Sequence, residues 1–228
     1  MARRMLPRRR MTVDARIEIW SIAAALLRYP EAELLDALDE IQGATQELPV
    51  ELQDGISNLL DWMQGQPLLE LQQQYVETFD FNKRADLHLT YHAHGDKRQR
   101  GIVLLRLKRL YGEHGVDIED GCTELPDYLP MLLEFAAYRP VIGCDTMSRF
   151  RAPIELIRRT LGDSGSPYVA VMHAVVATLP PLRGDERDAV RRLLEDGPPE
   201  EAVGLEPYAP EQIMPQNEID SRFVGGEA

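Results

Sequence analysis

The sequence has few cysteines and no long apolar segment. Its two cysteines, Cys122 and Cys144, lie outside any C-x-x-C pair, so a disulfide framework is excluded and a reducing, cytoplasmic compartment is expected. No stretch approaches the roughly 20 apolar residues of a membrane span. The short apolar run behind the arginine-rich start is interrupted by Arg28. We therefore predict neither stable membrane insertion nor an export signal.

The usual motifs of catalysis and phosphate binding are also missing. The sequence contains no G-x-x-x-x-G-K, no G-x-G-x-x-G and no G-x-S-x-G. Neither cysteine has a candidate base nearby in the sequence, as a nucleophile would require. These absences favour a binding protein over an enzyme, and we expect no bound cofactor.

Charge is plentiful but unevenly distributed. Acidic residues number 38 and basic residues 25, which gives a net charge of −13 and argues against nucleic acid as a partner. Five arginines and no acid occupy residues 1–10, and we predict a disordered basic arm over 1–12. Nine acids and five prolines fall within 195–228, which predicts a disordered acidic tail. Residues 13–194 are predicted to form the folded domain.

Apolar residues recur at helical spacing through most of that domain, and no strand pattern appears. The sequence predicts an all-α fold, a single compact domain of about seven to nine helices. Asp14 and Ser166 are predicted to cap helices, and Pro153 predicts a kink or a restart. Residues 80–96 are predicted to form a polar loop.

Two clusters allow a metal or cofactor as an alternative function. The first is His88, His92 and His94, the first two of which are one helical turn apart. The second is the stretch Lys97–Arg109, which holds six basic residues and no acid. Structural histidines and a solvated basic helix face are the simpler interpretations of these patterns.

Residues 124–138 form an amphipathic pattern of another kind. On a helical wheel, Asp127, Met131, Glu134 and Tyr138 fall opposite the leucines. Asp127 is also predicted to cap this helix. The pattern fits either a solvated acidic face or one wall of a groove that grips a basic, amphipathic peptide.

Three strings together resemble a known family. They are Y-V-E-T-F-D at 75–80, Y-H-A-H-G-D-K-R-Q-R-G at 91–101 and E-L-P-D-Y-L-P at 124–130, followed by L-E-F at 133–135. In this order and spacing they resemble the nitrate reductase assembly chaperones, the NarJ or delta-subunit family. That family belongs to the wider group of redox-enzyme maturation chaperones that includes TorD and DmsD.

The resemblance implies an all-helical, cytoplasmic chaperone that is not an enzyme. It implies that the partner is the apo form of the catalytic (alpha) subunit of nitrate reductase, bound through its amino-terminal segment. The chaperone would keep that subunit competent for molybdenum cofactor insertion and membrane assembly. The wider group often has a histidine directly after its E-P-x-D segment, where this chain has Tyr128. The residues predicted to bind the partner are Tyr91, His92, His94, Gly95, Asp96, Arg98, Arg100, Glu124, Pro126, Asp127 and Glu134.

Overall fold

A computed structural model describes residues 11–93, 97–118 and 124–196 of the chain. The described residues form eleven α-helices and no β-strand, which confirms the all-α prediction. The helices are α1 Val13–Leu26, α2 Ala32–Thr45, α3 Val50–Gln64, α4 Leu68–Tyr75, α5 Leu89–Ala93, α6 Lys97–Glu113, α7 Leu129–Tyr138, α8 Pro140–Arg149, α9 Arg151–Asp163, α10 Val169–Thr178 and α11 Gly184–Asp196.

The helices outnumber the seven to nine that the pattern predicted. One extra helix is α5, which lies inside the predicted polar loop and is only five residues long. Another arises because the pattern around Pro153 is split at Phe150 into α8 and α9. Pro153 lies in the first turn of α9, where proline is tolerated, so the predicted restart is confirmed. The predicted basic arm (1–12) and acidic tail (195–228) fall almost entirely outside the described residues.

Helix α7 is central to the hydrophobic core and packs against α1 and α8. Its apolar side is almost fully buried, and the buried side chains are Leu129, Leu132, Leu133, Phe135 and Ala136. Helix α10 packs on α1, α3 and α9. The indole Nε1 of Trp20 in α1 donates to Thr178 Oγ1 in α10 over 2.9 Å, so the buried polar atom of this tryptophan is satisfied.

A glycine sets the distance between α7 and α8. A Cβ built on Gly143 would lie 2.2 Å from the Cα of Ala136, so no larger residue fits without moving a backbone. The two helices therefore pack backbone to backbone at this point. In the described part of the chain, no helix is both long and apolar enough to cross a bilayer.

Two predicted helix caps are wrong. Helix α1 is capped by Thr12, whose Oγ1 accepts from the Ala15 amide over 3.1 Å, and Asp14 lies in the first turn instead. Helix α10 begins only at Val169, and the buried Ser166 Oγ has no hydrogen-bond partner. In both places the sequence identified the correct turn but not the residue whose side chain reaches the free amides.

Candidate partner-binding surface

Tyr128 lies where four segments of the chain meet. Its hydroxyl is 3.0 Å from that of Tyr75, which in turn donates to the carbonyl of Leu27 over 2.9 Å. The Tyr128 hydroxyl also lies 3.4 Å from the Leu27 carbonyl, so either hydroxyl can be the donor between the two. Burial raises the pKa of Tyr128 to about 12, so the phenol stays protonated at neutral pH. Leu27 is the residue after α1, so this network ends on the partly negative carboxyl end of a helix.

Residue 128 also joins two distant segments through the backbone. His88 and Tyr128 form an isolated antiparallel bridge, in which the Leu89 amide donates to Asp127 O over 3.1 Å and the Leu129 amide donates to Leu87 O over 2.9 Å. This bridge holds the start of α5 beside the start of α7. Two of the strings noted in the sequence are thereby brought together.

A π-helical turn at Val76–Asp80 continues α4 and ends in a 3.0 Å bond from the Phe81 amide to Val76 O. Such turns are rare and often occur at functional sites. Here the turn leaves the Phe81 side chain 80% exposed. It also places Asp80 near the acids Asp86 and Glu124. Partial burial, together with the negative charges of these two acids, raises the pKa of Asp80.

His88 lies between two carboxylates. Asp86 Oδ1 is 2.9 Å from His88 Nδ1 and accepts from the His88 amide over 2.8 Å. On the other side of the ring, Nε2 is 3.6 Å from Glu124 Oε2. Burial is the largest influence on both groups and opposes their charge, but their hydrogen bonds and the attraction of the neighbouring charges together outweigh it, so the pKa of Asp86 is lowered and that of His88 is raised.

A further acid, Glu134, lies on α7. Its Oε1 lies 2.5 Å from Nη2 of Arg28, the residue that follows the end of α1, and both side chains are about half exposed. Glu134 also lines a depression of about 200 Å³ together with Met131 and Tyr138. The predicted groove wall is thus present for these three residues. The remaining lining residues are Tyr111, Val116 and Phe135.

Asp127 does not belong to this surface, and its predicted place on the acidic face of the helix is wrong. Helix α7 begins at Leu129, and the Asp127 side chain is completely buried. Its Oδ2 accepts from both the amide and the hydroxyl of Thr90, over 2.9 and 2.5 Å. Asp127 therefore caps α5 and not its own helix.

Arg100 completes the cluster around Asp127. Its Nε donates to Thr90 Oγ1 over 3.1 Å, and its Nη2 is 4.0 Å from Asp127 Oδ2. The cluster of Asp127, Thr90 and Arg100 ties α5, α6 and the segment before α7 together. Two of the predicted partner-binding residues thus have intramolecular partners.

His92 is also an interior residue. It is 1% exposed, and its Nε2 donates to Asp86 O over 2.7 Å. Burial lowers its pKa, so the ring is neutral near pH 7. Among the described residues no group of three or more His, Cys, Asp or Glu side chains is arranged to hold a metal. His94, Gly95 and Asp96 lie outside the described residues, as does the side chain of Arg98.

The other predicted residues are partly exposed. Pro126 is half-buried, and its carbonyl accepts from Tyr111 OH over 2.8 Å. Tyr91 is half-buried beside the His92 ring. Glu124 and Glu134 have 46% and 48% of their side chains exposed.

Sequence reasoning missed Asp80, Asp86 and Tyr128 at this surface, and it missed Arg28, which pairs with Glu134. Asp80 and Tyr128 stood within the noted strings, and the position of Tyr128 directly after the E-L-P-D string was the available signal. Nothing in the sequence indicates that the end of α1 lies beside α7, so Arg28 could not have been identified. We call the set of Asp80, Asp86, His88, Glu124, Tyr128 and Glu134 the acidic surface.

Comparison with known proteins shows the family to which this chain belongs. The chain belongs to the nitrate reductase delta subunit family, whose model matches residues 45–174. It is 30% identical over 170 residues to the probable nitrate reductase molybdenum cofactor assembly chaperone NarJ of Bacillus subtilis, which covers 74% of this chain and 91% of that protein.

Two further similarities differ in what they cover. The chain is 33% identical over 169 residues to the nitrate reductase-like protein NarX of Mycobacterium tuberculosis; the match takes in 70% of this chain but spans only about a quarter, 24%, of that relative's length. A putative redox enzyme maturation protein from Archaeoglobus fulgidus has a similar structure, with a TM-score of 0.53, 18% identity and coverage of 76% of this chain and 97% of that one. That similarity supports the fold alone.

Proposed function

We propose that this protein is a cytoplasmic assembly chaperone for respiratory nitrate reductase and not an enzyme. It binds the amino-terminal segment of the apo catalytic subunit and keeps that subunit competent for molybdenum cofactor insertion and membrane assembly. The family membership and the name of the Bacillus subtilis relative support the assembly role. Binding of the amino-terminal segment is what the family resemblance implies, and we infer that the acidic surface is where that segment binds.

The observation that carries this inference is the composition of the acidic surface. Glu124 and Glu134 are exposed carboxylates on either side of Tyr128, and Glu134 borders an apolar depression that also contains Met131 and Tyr138. A basic amphipathic helix has the complementary chemistry, with cations for the carboxylates and apolar side chains for the depression. The depression supplies affinity, whereas the acids mainly steer and orient the peptide.

Isothermal titration of the full chain tests the proposal. The ligand is a synthetic peptide from the amino terminus of a nitrate reductase catalytic subunit, compared with a scrambled peptide of the same composition. We expect heat from the native peptide only. Equal heats from both peptides, or none from either, would contradict the proposal.

Paired substitutions localise the binding. Glu124→Gln combined with Glu134→Gln should weaken binding by about 1–2 kcal/mol at low salt and by less at high salt, because exposed charges are screened. Glu51→Gln combined with Asp54→Asn is the matched control, since it removes the same number of charges and both are exposed acids of α3, away from this surface. An equal loss in the control would mean that net charge, and not this surface, governs binding.

A further inference from the structure

Helix α6 exposes an apolar face that has no function in the scheme above. The stripe of Gly101, Leu104, Leu105 and Lys108 follows helical spacing, and with Ile102 and Pro126 it lines a shallow groove of about 510 Å³. Leu105 is 70% exposed and Ile102 is 44% exposed. Contiguous apolar surface of this kind is a candidate interaction site.

Helix α6 is also rich in basic residues. Helix α6 contains six basic residues and one acid, within a chain whose net charge is −13. Arg109 is paired with Glu113 over 2.7 Å. Arg106 and Lys108 are exposed and have no acidic partner within the described ranges. The occupant of the groove should therefore combine acids with apolar anchors.

One segment of this chain has that chemistry. Residues 197–228, beyond the end of α11, contain seven acids and one arginine. Apolar side chains are spaced among the acids, at Ile213, Met214, Ile219 and Phe223. The same chain thus contains a segment whose charge is opposite to that of α6.

We propose that residues 197–228 dock on the exposed apolar face of α6. The contact combines salt-sensitive attraction to Arg106 and Lys108 with burial of Leu105 and Ile102. The proposal concerns a different helix from the acidic surface and does not depend on the proposed function.

Zero-length carbodiimide crosslinking of the full chain, followed by peptide mass spectrometry, tests the proposal. This reagent joins a carboxylate to an amine only when the two are in contact. We expect amide products between Lys108 and the acids of 197–228, in monomeric protein, at roughly five times the yield of products with Lys83. Lys83 is an exposed lysine beside the π-helical turn and serves as the internal control. Raising the salt to about 1 M, where the Debye length is about 3 Å, should reduce the Lys108 yield towards that of Lys83.

A pair of substitutions tests the apolar part of the contact. Leu105→Ser should lower the Lys108 yield by about twofold or more, because it removes apolar area that the tail would bury. Leu69→Ser should leave the yield unchanged, since Leu69 is similarly exposed, at 64%, but lies on α4. Both side chains are exposed, so neither change should impair folding, and circular dichroism checks this. Equal yields at Lys83 and Lys108, products confined to dimers, or no effect of Leu105→Ser would overturn the proposal.

Discussion

Glu124 and Asp127 stand three residues apart in the same string, yet the structure gives them opposite environments. Glu124 is about half exposed and lies 3.6 Å from His88 on the acidic surface. Asp127 is completely buried, where it caps α5 and faces Arg100. The comparison teaches that a motif of uniform chemistry contains two kinds of residue. Asp127 holds neighbouring segments of the chain together, whereas the carboxylate of Glu124 is about half exposed at the surface.

The physical cost of removal distinguishes the two. A buried carboxylate that accepts two hydrogen bonds leaves unsatisfied donors and an unpaired arginine when it is removed. Removal of the half-exposed Glu124 carboxylate, which lies 3.6 Å from His88 Nε2, should cost much less, because exposed ion pairs are worth at most about 1 kcal/mol. The interior member should therefore affect stability and the surface member should affect binding.

The largest expected effect is that of Asp127→Ala. It should lower the free energy of unfolding by about 3 kcal/mol, since the Thr90 amide, the Thr90 hydroxyl and Arg100 all lose a partner. For a chain of this size, the melting temperature should fall by roughly 6–12 °C. Glu124→Ala is the matched control and should change stability by less than about 0.5 kcal/mol. Similar losses of stability from both variants, measured by denaturant titration, would contradict a structural role that is specific to Asp127.

A smaller effect is expected from Thr90→Val. The hydroxyl donates to Asp127 and accepts from Arg100, so its loss should cost about 1–2 kcal/mol. Thr146→Val provides the comparison, because the Thr146 hydroxyl is also buried but bonds only to the Ile142 carbonyl of its own helix, over 2.8 Å. We expect the cost at Thr90 to exceed the cost at Thr146. In a double-mutant cycle, the variant that combines Thr90→Val with Asp127→Ala should lose less stability than the sum of the two single losses. A loss equal to that sum would contradict the cluster.

Sequence periodicity was enough to predict the all-α class and the core of α7, because apolar spacing alone determines which side of a helix is buried. It failed where contacts join distant segments. Asp127 was assigned to the nearest helix start, two residues along the chain, whereas its partner Thr90 is 37 residues away. A wheel drawn over 124–138 also assumed that the helix included Asp127, although it begins at Leu129.

The candidate site also contains residues that the sequence predicts and residues that it does not. The helical wheel predicts Glu134 and the family resemblance predicts Glu124, and both side chains are about half exposed. Arg28, 106 residues before Glu134 in the chain, and Asp86, whose carboxylate faces His88, were not predicted. Their roles depend on how α1 and the segment before α5 pack around Tyr128, which no local pattern encodes.

The smallest expected effects concern two histidines that again divide between surface and interior. The pKa of His88 is raised above its ordinary value of 6.5 despite burial, because Asp86 binds the ring. Its contribution to stability is therefore complete below that value and lost as the pH rises through the raised pKa. Asp86, with a lowered pKa, keeps its side of the pair charged until the pH falls below its ordinary 3.8. The pair thus stabilises the fold most between about pH 4 and 6.5.

The stability contribution of the buried histidine, His92, changes with pH in the opposite direction. Burial lowers the pKa of His92, so its neutral ring is compatible with the fold above pH 6.5 and becomes a cost as the pH falls. His88→Gln should therefore destabilise more at about pH 5.5 than at about pH 8, whereas His92→Gln should destabilise less at about pH 5.5 than at about pH 8. Urea titrations of both variants and the parent chain at the two pH values measure the difference. Because each histidine is compared with itself at two pH values, any structural cost of the glutamine cancels and only the titration remains. The same trend in both variants would mean that burial does not separate these two rings.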